Sequence, residues 1–370
     1  MTQTTQRAVR AAALSLAMLV AMAVSASARL ADVPPLANTP DPGVMPFNNG
    51  FVVVGTSTAT RGCQRPRRRG CRAFPIMYSM DLRSWSRIGY VFDGENFPGW
   101  IDVRREPGGR SLWAPEIEPV GNTLVVHYSA FSETGARCIG RAATTFVPDV
   151  TTNLRFTDLG NYLRCSDPTG SWSLIDPSLF EAPDGQAYLL YKNDYREAAE
   201  KEIAIIKVDN QGKPAAGDKG NSILKAEGWE LDTVDGGTGS VEAPTMIYRK
   251  GMYYLFYTGN DYRTDRYGVG VARSESPTGR FEKNPGNPIL TGVGSRRFCG
   301  VGHQDVVHDM PRRRWLIFYH SYRGPQEEFC NDDVGRFMKV QRLRWNKTTG
   351  WPYVNRSSKP KGSNTPVEPR

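Results

Sequence analysis

Three acids, Asp41, Asp176 and Glu242, stand at the head of similar sequence units. Two carboxyl groups facing each other across a pocket can hydrolyse a glycosidic bond. One is protonated and helps the leaving oxygen depart, while the other is ionised and activates water or attacks carbon. A third carboxylate beside the acid raises its pKa by like-charge repulsion and holds its orientation. The matching places in two further units hold Trp113 and His303. Trp113 offers a flat face to a sugar ring or, equally, an anchor in the core. Asp-Pro and Ala-Pro are turn dipeptides, and one acid before proline reads simply as the start of a strand or turn. Glu242 has no turn preference, however. Acids are 38 of 370 residues, so three among five equivalent positions point to a site.

The elements that must position these acids are visible as a repeat. The five units are DPGVMPFNNGFVVVGTS from Asp41, WAPEIEPVGNTLVVHYSA from Trp113, DPSLFEAPDGQAYLLYKN from Asp176, EAPTMIYRKGMYYLFYTG from Glu242 and HQDVVHDMPRRRWLIFYHS from His303. Each reads as strand, tight turn, strand. Fifteen residues after the first position come Thr56, Tyr128, Tyr191 and Tyr257, and Tyr319 falls one later. A third strand follows in each unit, the last being RFMKVQRLRW from Arg336. Unit starts are separated by 72, 63, 66 and 61 residues, room for four short strands with turns. Four-stranded units repeated radially make propeller blades. The fold class expected is all-β, a five-bladed β-propeller with four-stranded antiparallel blades around a central channel.

Composition and the N-terminus set the context. The chain of 370 residues has 39% apolar and 11% aromatic residues with 37 Gly and 26 Pro, which excludes a disordered or coiled-coil protein and favours many short strands. Arg7 and Arg10 precede an apolar stretch over residues 11–24, and Ser25-Ala26-Ser27-Ala28 follows. That order reads as a secretory signal peptide over 1–28, with a single catalytic domain over 29–356 and a disordered tail over 357–370. Cleavage would lower the net charge from +9 to +7 by removing the two arginines. Six cysteines without a C-x-x-C pair favour disulfides over zinc. Sequence proximity suggests Cys63 with Cys71, Cys138 with Cys165 and Cys299 with Cys330.

The motifs resemble glycoside hydrolase family 43 over about residues 36–355. They are Asp41-Pro42, FPIMYSMDLRSW, WAPEI from Trp113, LIDPS from Leu174, SVEAP from Ser240, GVGH from Gly300 and the closing GWP from Gly350. The resemblance implies a five-bladed propeller with Asp41 as general base, Glu242 as general acid and Asp176 as modulator of the acid's pKa, acting with inversion. Trp113 and Arg336 are expected to bind substrate. It implies furanosidic arabinan or xylan-type substrates, with α-L-arabinofuranosyl bonds preferred because the chain ends soon after the fifth unit. A β-xylosidase of the same fold and an inactive carbohydrate-binding propeller are the alternatives. No cofactor is required, although His303 resembles a residue that holds a calcium-type ion in the central channel, directly or through water.

Two departures from the family pattern are Gly300-Val301-Gly302-His303, where Gly-Pro-Gly-His is usual, and Gly43 two residues after the first Asp. Invertase-like fructosidases differ at both flanks, since here Pro40 precedes Asp41 and Ala243 follows Glu242. His127, His308 and His320 show no metal-binding spacing. The arginine run at Arg61, Arg65, Arg67, Arg68, Arg69 and Arg72 reads as a solvated loop, with acidic pectin as a candidate attractant. The expected protein is a secreted monomer acting on plant cell-wall polysaccharide, with neither a nucleic-acid nor a membrane partner.

Overall fold

The computed structural model describes most of residues 39–355, and the main internal stretches outside it are 57–71, 103–111, 146–153, 167–171, 196–200, 233–238 and 324–334 apart from Cys330. The expected signal peptide, the tail and the Cys63–Cys71 pair lie outside the described residues. So does most of the arginine run, although Arg72 pairs with Asp93 on the surface at 3.3 Å.

The described strands form five antiparallel sheets, each from a contiguous stretch of chain. Blade one holds β1 (Gly43–Phe47), β2 (Gly50–Val54), β3 (Arg72–Ser79) and β4 (Ser86–Asp93). Blade two holds β5 (Leu112–Val120), β6 (Thr123–Phe131) and β7 (Arg137–Thr145), with an outer edge split into β8 (Thr157–Asp158) and β9 (Arg164–Cys165). Blade three runs β10 (Trp172–Glu181), β11 (Ala187–Tyr195), β12 (Lys201–Val208) and β13 (Asn221–Lys225). Blade four has β14 (Val241–Arg249), β15 (Met252–Gly259) and β16 (Gly268–Ser274), with β17 (Glu282–Lys283) and β18 (Leu290–Thr291) sharing its edge. Blade five has β19 (Phe298–Asp309), β20 (Arg314–Arg323), β21 (Arg336–Trp345) and β22 (Pro352–Val354).

The first strand of each blade touches the first strand of the next, and β19 returns to β1, so the ring closes around a central channel. Tight turns are local chemistry: Asn48-Asn49 and Lys250-Gly251 all have positive φ, the two-residue geometry that suits twisted hairpins. Apolar residues on facing sheets fill each of the five joints between blades. The closing joint is built from Val44, Phe51, Val53 and Leu82 of blade one against Val307, Leu316, Phe318, Met338 and Val340 of blade five. Polar contacts reinforce it, since Arg312 of the β19–β20 turn donates to the backbone carbonyls of Asn49 and Met80. The expected five-bladed propeller is thus the observed fold.

The repeat has a finer register than spacing alone conveys. Near the head of every inner strand one residue that is not glycine adopts positive φ: Asp41, Ala114, Asp176, Ala243 and His303. In blades two to five, this residue and the next bulge out against a single partner on the second strand. In four blades the following residue is Pro42, Pro115, Pro177 or Pro244, which lacks the N–H that a bulge would leave unpaired. The Asp-Pro and Ala-Pro pairs are therefore bulge signals. Trp113 and Glu242 sit one place before the bulge, and Asp41, Asp176 and His303 sit on it. This corrects the single ring position that spacing suggested.

Candidate active site

The bulges line the mouth of the channel, and the pocket there is walled by Asp41, Asp176 and His303 with the adjoining prolines, Ala114 and Ala243. Left-handed backbone is costly for residues with a Cβ and persists where surrounding contacts impose it. Those contacts come from the preceding blade. The Ala114 amide donates to Thr56 Oγ1 at 2.8 Å, the Asp176 amide to Ser129 Oγ at 3.0 Å and the His303 amide to Thr258 Oγ1 at 2.9 Å. Around the closing joint the Asp41 amide donates to His320 Nδ1 at 3.2 Å. The Ala243 amide instead donates to Asp176 Oδ2 at 3.0 Å.

Asp41 is 5% exposed. Its Oδ2 accepts from Thr56 at 2.6 Å, while Oδ1 accepts from Arg336 Nη1 at 2.7 Å and lies 3.3 Å from His303 Nδ1. Burial alone would raise its pKa, but the Arg336 guanidinium and the His303 and His320 rings outweigh it and hold the carboxyl well below the usual range. Asp41 is thus an ionised acceptor. Arg336, at the start of β21, lies over the Tyr262 ring at 5.3 Å, so its fork is fixed from both sides. Burial, then Arg336, push His320 down to about 4. The ring is therefore neutral, with Nδ1 3.2 Å from both the Asp41 amide and Asp41 Oδ1 and with Nε2 3.5 Å from Arg336 Nη1.

Glu242 faces a different pair of donors. Oε2 accepts from Lys192 Nζ at 2.7 Å, and Oε1 accepts from the buried Tyr267 hydroxyl. Burial would raise the Glu242 pKa, but Lys192, His303 and Tyr267 together lower it. Its neighbour Asp176 goes the other way, to about 6, chiefly because of burial, with Glu242 and Asp41 adding repulsion against the pull of His303 and Lys192. One oxygen from each acid and one His303 ring nitrogen lie within 4.8 Å of one another. The two acids interact as a pair, with Asp176 the weaker acid of the two.

A second group of acids adjoins the first, and Glu116 lines the same pocket as Asp41 and Asp176. Glu116 and Asp305 stand two residues beyond their bulges, with Glu118 on the same strand as Glu116. Burial pushes Asp305 up to about 7 despite its acceptance of the Val44 and Val306 amides. Burial, then repulsion from Asp305, raises Glu116 and Glu118 well above the ordinary glutamate value. Glu116 is 8% exposed, and its carboxylate makes no hydrogen bond or ion pair among the described residues. Gly43 makes room for it: a Cβ there would lie 2.3 Å from the Pro115 carbonyl and 3.0 Å from Glu116 Oε2.

Of the residues singled out from sequence, the fold brings Asp41, Asp176, Glu242, His303 and Arg336 together. Trp113 is half-buried next to this group, edge-on to Phe131 at 5.1 Å and with the Arg137 guanidinium 5.9 Å away. Lys192, Tyr267 and His320 escaped the sequence reading. Lys192 and His320 each follow a repeated tyrosine, as Ser129 and Thr258 do, and that column was the available signal. Disulfides join Cys138 to Cys165 and Cys299 to Cys330, as sequence proximity suggested.

A closed five-bladed propeller with three buried carboxylates at the mouth of its channel defines a glycoside hydrolase of propeller type. The chain belongs to Glycosyl hydrolases family 43, which it matches over residues 35–352. It is 24% identical over 314 residues to an extracellular endo-α-(1→5)-L-arabinanase of Bacillus subtilis, covering 82% of this chain and 85% of that one. To the extracellular exo-α-(1→5)-L-arabinofuranosidase ArbA of Cellvibrio japonicus it is 25% identical, covering 76% and 80%. Its fold superposes on a thermostable family-43 glycoside hydrolase with a TM-score of 0.67 at 22% identity, covering 89% and 97%. On a Cellvibrio cellulosa α-L-arabinanase complexed with arabinohexaose the TM-score is 0.64 at 22% identity, covering 86% and 96%.

Proposed function

We propose that the protein hydrolyses α-L-arabinofuranosyl linkages of arabinan or arabinoxylan by a single inverting displacement. The observation that carries this reading is the division of charge at the channel mouth. Arg336 holds Asp41 well below the usual carboxylate range, while burial and the repulsion of Glu242 raise Asp176 to about 6. Asp41 takes a proton from water as the water oxygen bonds to the anomeric carbon. The bond from that carbon to the leaving oxygen breaks, and Glu242 delivers the pair's proton to the departing oxygen. Asp176 is the reservoir of that proton and, through Oδ2, the fastening of the strand that carries Glu242. The names of the curated relatives supply the arabinosyl preference.

Substrate contact by Trp113 and Arg336 belongs to the same proposal. Trp113 stands beside the mouth with its ring braced by Phe131, and Arg336 orients the base. A calcium-type ion in the channel belongs to it as well: among the described residues, Asp176, Glu242 and His303 each bring one donor within 4.8 Å of the others. His303 offers an imidazole whose Nδ1 faces Asp41, so its part would be through water. When bound, the ion would neutralise Asp176 and Glu242 and brace the inner strands that carry them. Secretion is supported by the two disulfides and by relatives named as extracellular. The protein is proposed to act as a monomer on plant cell-wall polysaccharide.

The test is a product profile on linear arabinan, arabinoxylan and xylo-oligosaccharides, with NMR of the first-formed anomer. Release of arabinose or arabino-oligosaccharides with inverted configuration is expected. Xylose from xylo-oligosaccharides alone would replace arabinan with xylan, and a retained anomer would overturn the single displacement.

A further inference from the structure

The five joints of the ring are chemically uneven, and the exception sits beneath Glu242. In each of blades two to five, the residue before the bulge pairs across the hairpin with one residue of the second strand: Trp113 with Ser129, Ile175 with Lys192, Glu242 with Thr258, and Gly302 with His320. Ser129, Thr258 and His320, like Thr56 in blade one, accept the bulge amide of the next blade. Lys192 occupies this column in blade three, yet an ammonium has three donors and no acceptor. The Ala243 amide that it would have received goes to Asp176 Oδ2 instead.

A hydroxyl in that place would suffice to hold the joint, as three other joints show. Burying an ammonium, with only 8% of its side chain exposed, is costly unless the charge is paired. Its partner is Glu242, itself 14% exposed, at 2.7 Å. The other oxygen of Glu242 is taken by Tyr267. That contact needs Gly302, where a Cβ would lie 2.4 Å from the Tyr267 ring. Two donors from two blades thus fix the plane of one carboxyl.

We infer that Lys192 is a positioning residue for proton donation: it holds Glu242 in place and offsets the negative charge that Glu242 acquires as it gives its proton to the leaving oxygen. Lys192 itself neither gains nor loses a proton in this step. The inference rests on the glycosidase reading of the site. It separates two duties that the other joints leave to one side chain, because Asp176 fastens the strand and Lys192 serves the acid.

Lys192→Ser tests this, since serine restores the hydroxyl that Ser129 supplies one joint earlier. Arabinan, with a poor leaving group, and 2,4-dinitrophenyl α-L-arabinofuranoside, which departs without a proton, are compared. The expected result is a kcat on arabinan lower by roughly 10²-fold with little change in KM, and a loss under about fivefold on the dinitrophenyl substrate. Lys192→Arg should recover most of the loss, and adding Lys192→Ser to Glu242→Gln should cost no further activity. Equal losses on the two substrates, or an unchanged kcat on arabinan in a folded K192S protein, overturn the role of Lys192. A wild-type protein that cleaves neither substrate overturns the arabinosyl reading on which the choice of substrates rests.

Discussion

Two groups of buried carboxylates share one channel, and they are treated differently. At the mouth, Asp41 faces Arg336 at 2.7 Å and Glu242 faces Lys192 at 2.7 Å, so both acids are pulled toward ionisation. Among the described residues no lysine or arginine pairs with Glu116, Glu118 or Asp305, two residues or more past the bulges, and burial pushes all three upward. Burial alone therefore does not decide which carboxylates are charged. Cations delivered from neighbouring second and third strands do, and they are supplied at the two acids proposed as base and acid.

The sharpest way to break the contrast is at the acid. Glu242→Gln is expected to lower turnover on arabinan by about 10² to 10⁴ or more with little loss of binding, read as kcat and KM. Wild-type turnover in that variant would remove Glu242 from the mechanism.

Arg336→Met comes next. It leaves Asp41 buried without its guanidinium, a change that costs about 3–5 kcal/mol for a broken buried pair. Urea unfolding should show the loss, and the pKa of the base should rise in the pH profile of kcat/KM. An unchanged acid limb would mean that the histidines alone set Asp41.

The wild-type pH profile is a third check. Asp41 is held below the ordinary aspartate value, so its charge persists until well under pH 4, whereas the Asp176–Glu242 pair loses its proton around pH 6. Activity should therefore hold through mildly acidic pH and fall as pH rises past about 6. A plateau extending to pH 9 would contradict the shared proton.

The smallest effect belongs to the second group of acids. A carboxyl whose pKa is higher folded than unfolded favours the folded state below its ordinary value and loses that advantage as pH rises toward the folded pKa. In chelator, Glu116→Gln should match wild type near pH 4 and be more stable at pH 7 by on the order of 1 kcal/mol, the scale of a typical single substitution. Urea unfolding at the two pH values reads this, and equal stability of the two proteins at pH 7 would mean that the buried Glu116 carboxyl carries no penalty.

The ring of blades was legible because its repeat is written in local patterns: alternating strands, tight turns, and Asp-Pro or Ala-Pro at each head. The acids and Arg336 were legible from the same repeat and from motifs. The bulge was not, because one extra residue changes direction without changing composition, so Glu242 and Asp176 seemed equivalent when they are offset by one. Lys192, Tyr267 and His320 approach from other strands and blades. His320 meets Asp41 across 279 residues of sequence and Arg336 meets it across 295, separations that no local pattern encodes. Gly43, a departure from the family pattern in sequence, has its reason in the space that Glu116 occupies.

The joint that closes the ring has a consequence for how the protein matures. Asp41 lies near the beginning of the chain, while its three ring and guanidinium neighbours, His303, His320 and Arg336, all belong to the last blade. A ribosome completes the residue that should act as base long before the residues that charge and orient it. Hydrolysis would therefore switch on only when the final blade docks against the first. Catalytic competence doubles as a seal of completed assembly, and a nascent chain lacking blade five should be silent even with all three acids already made.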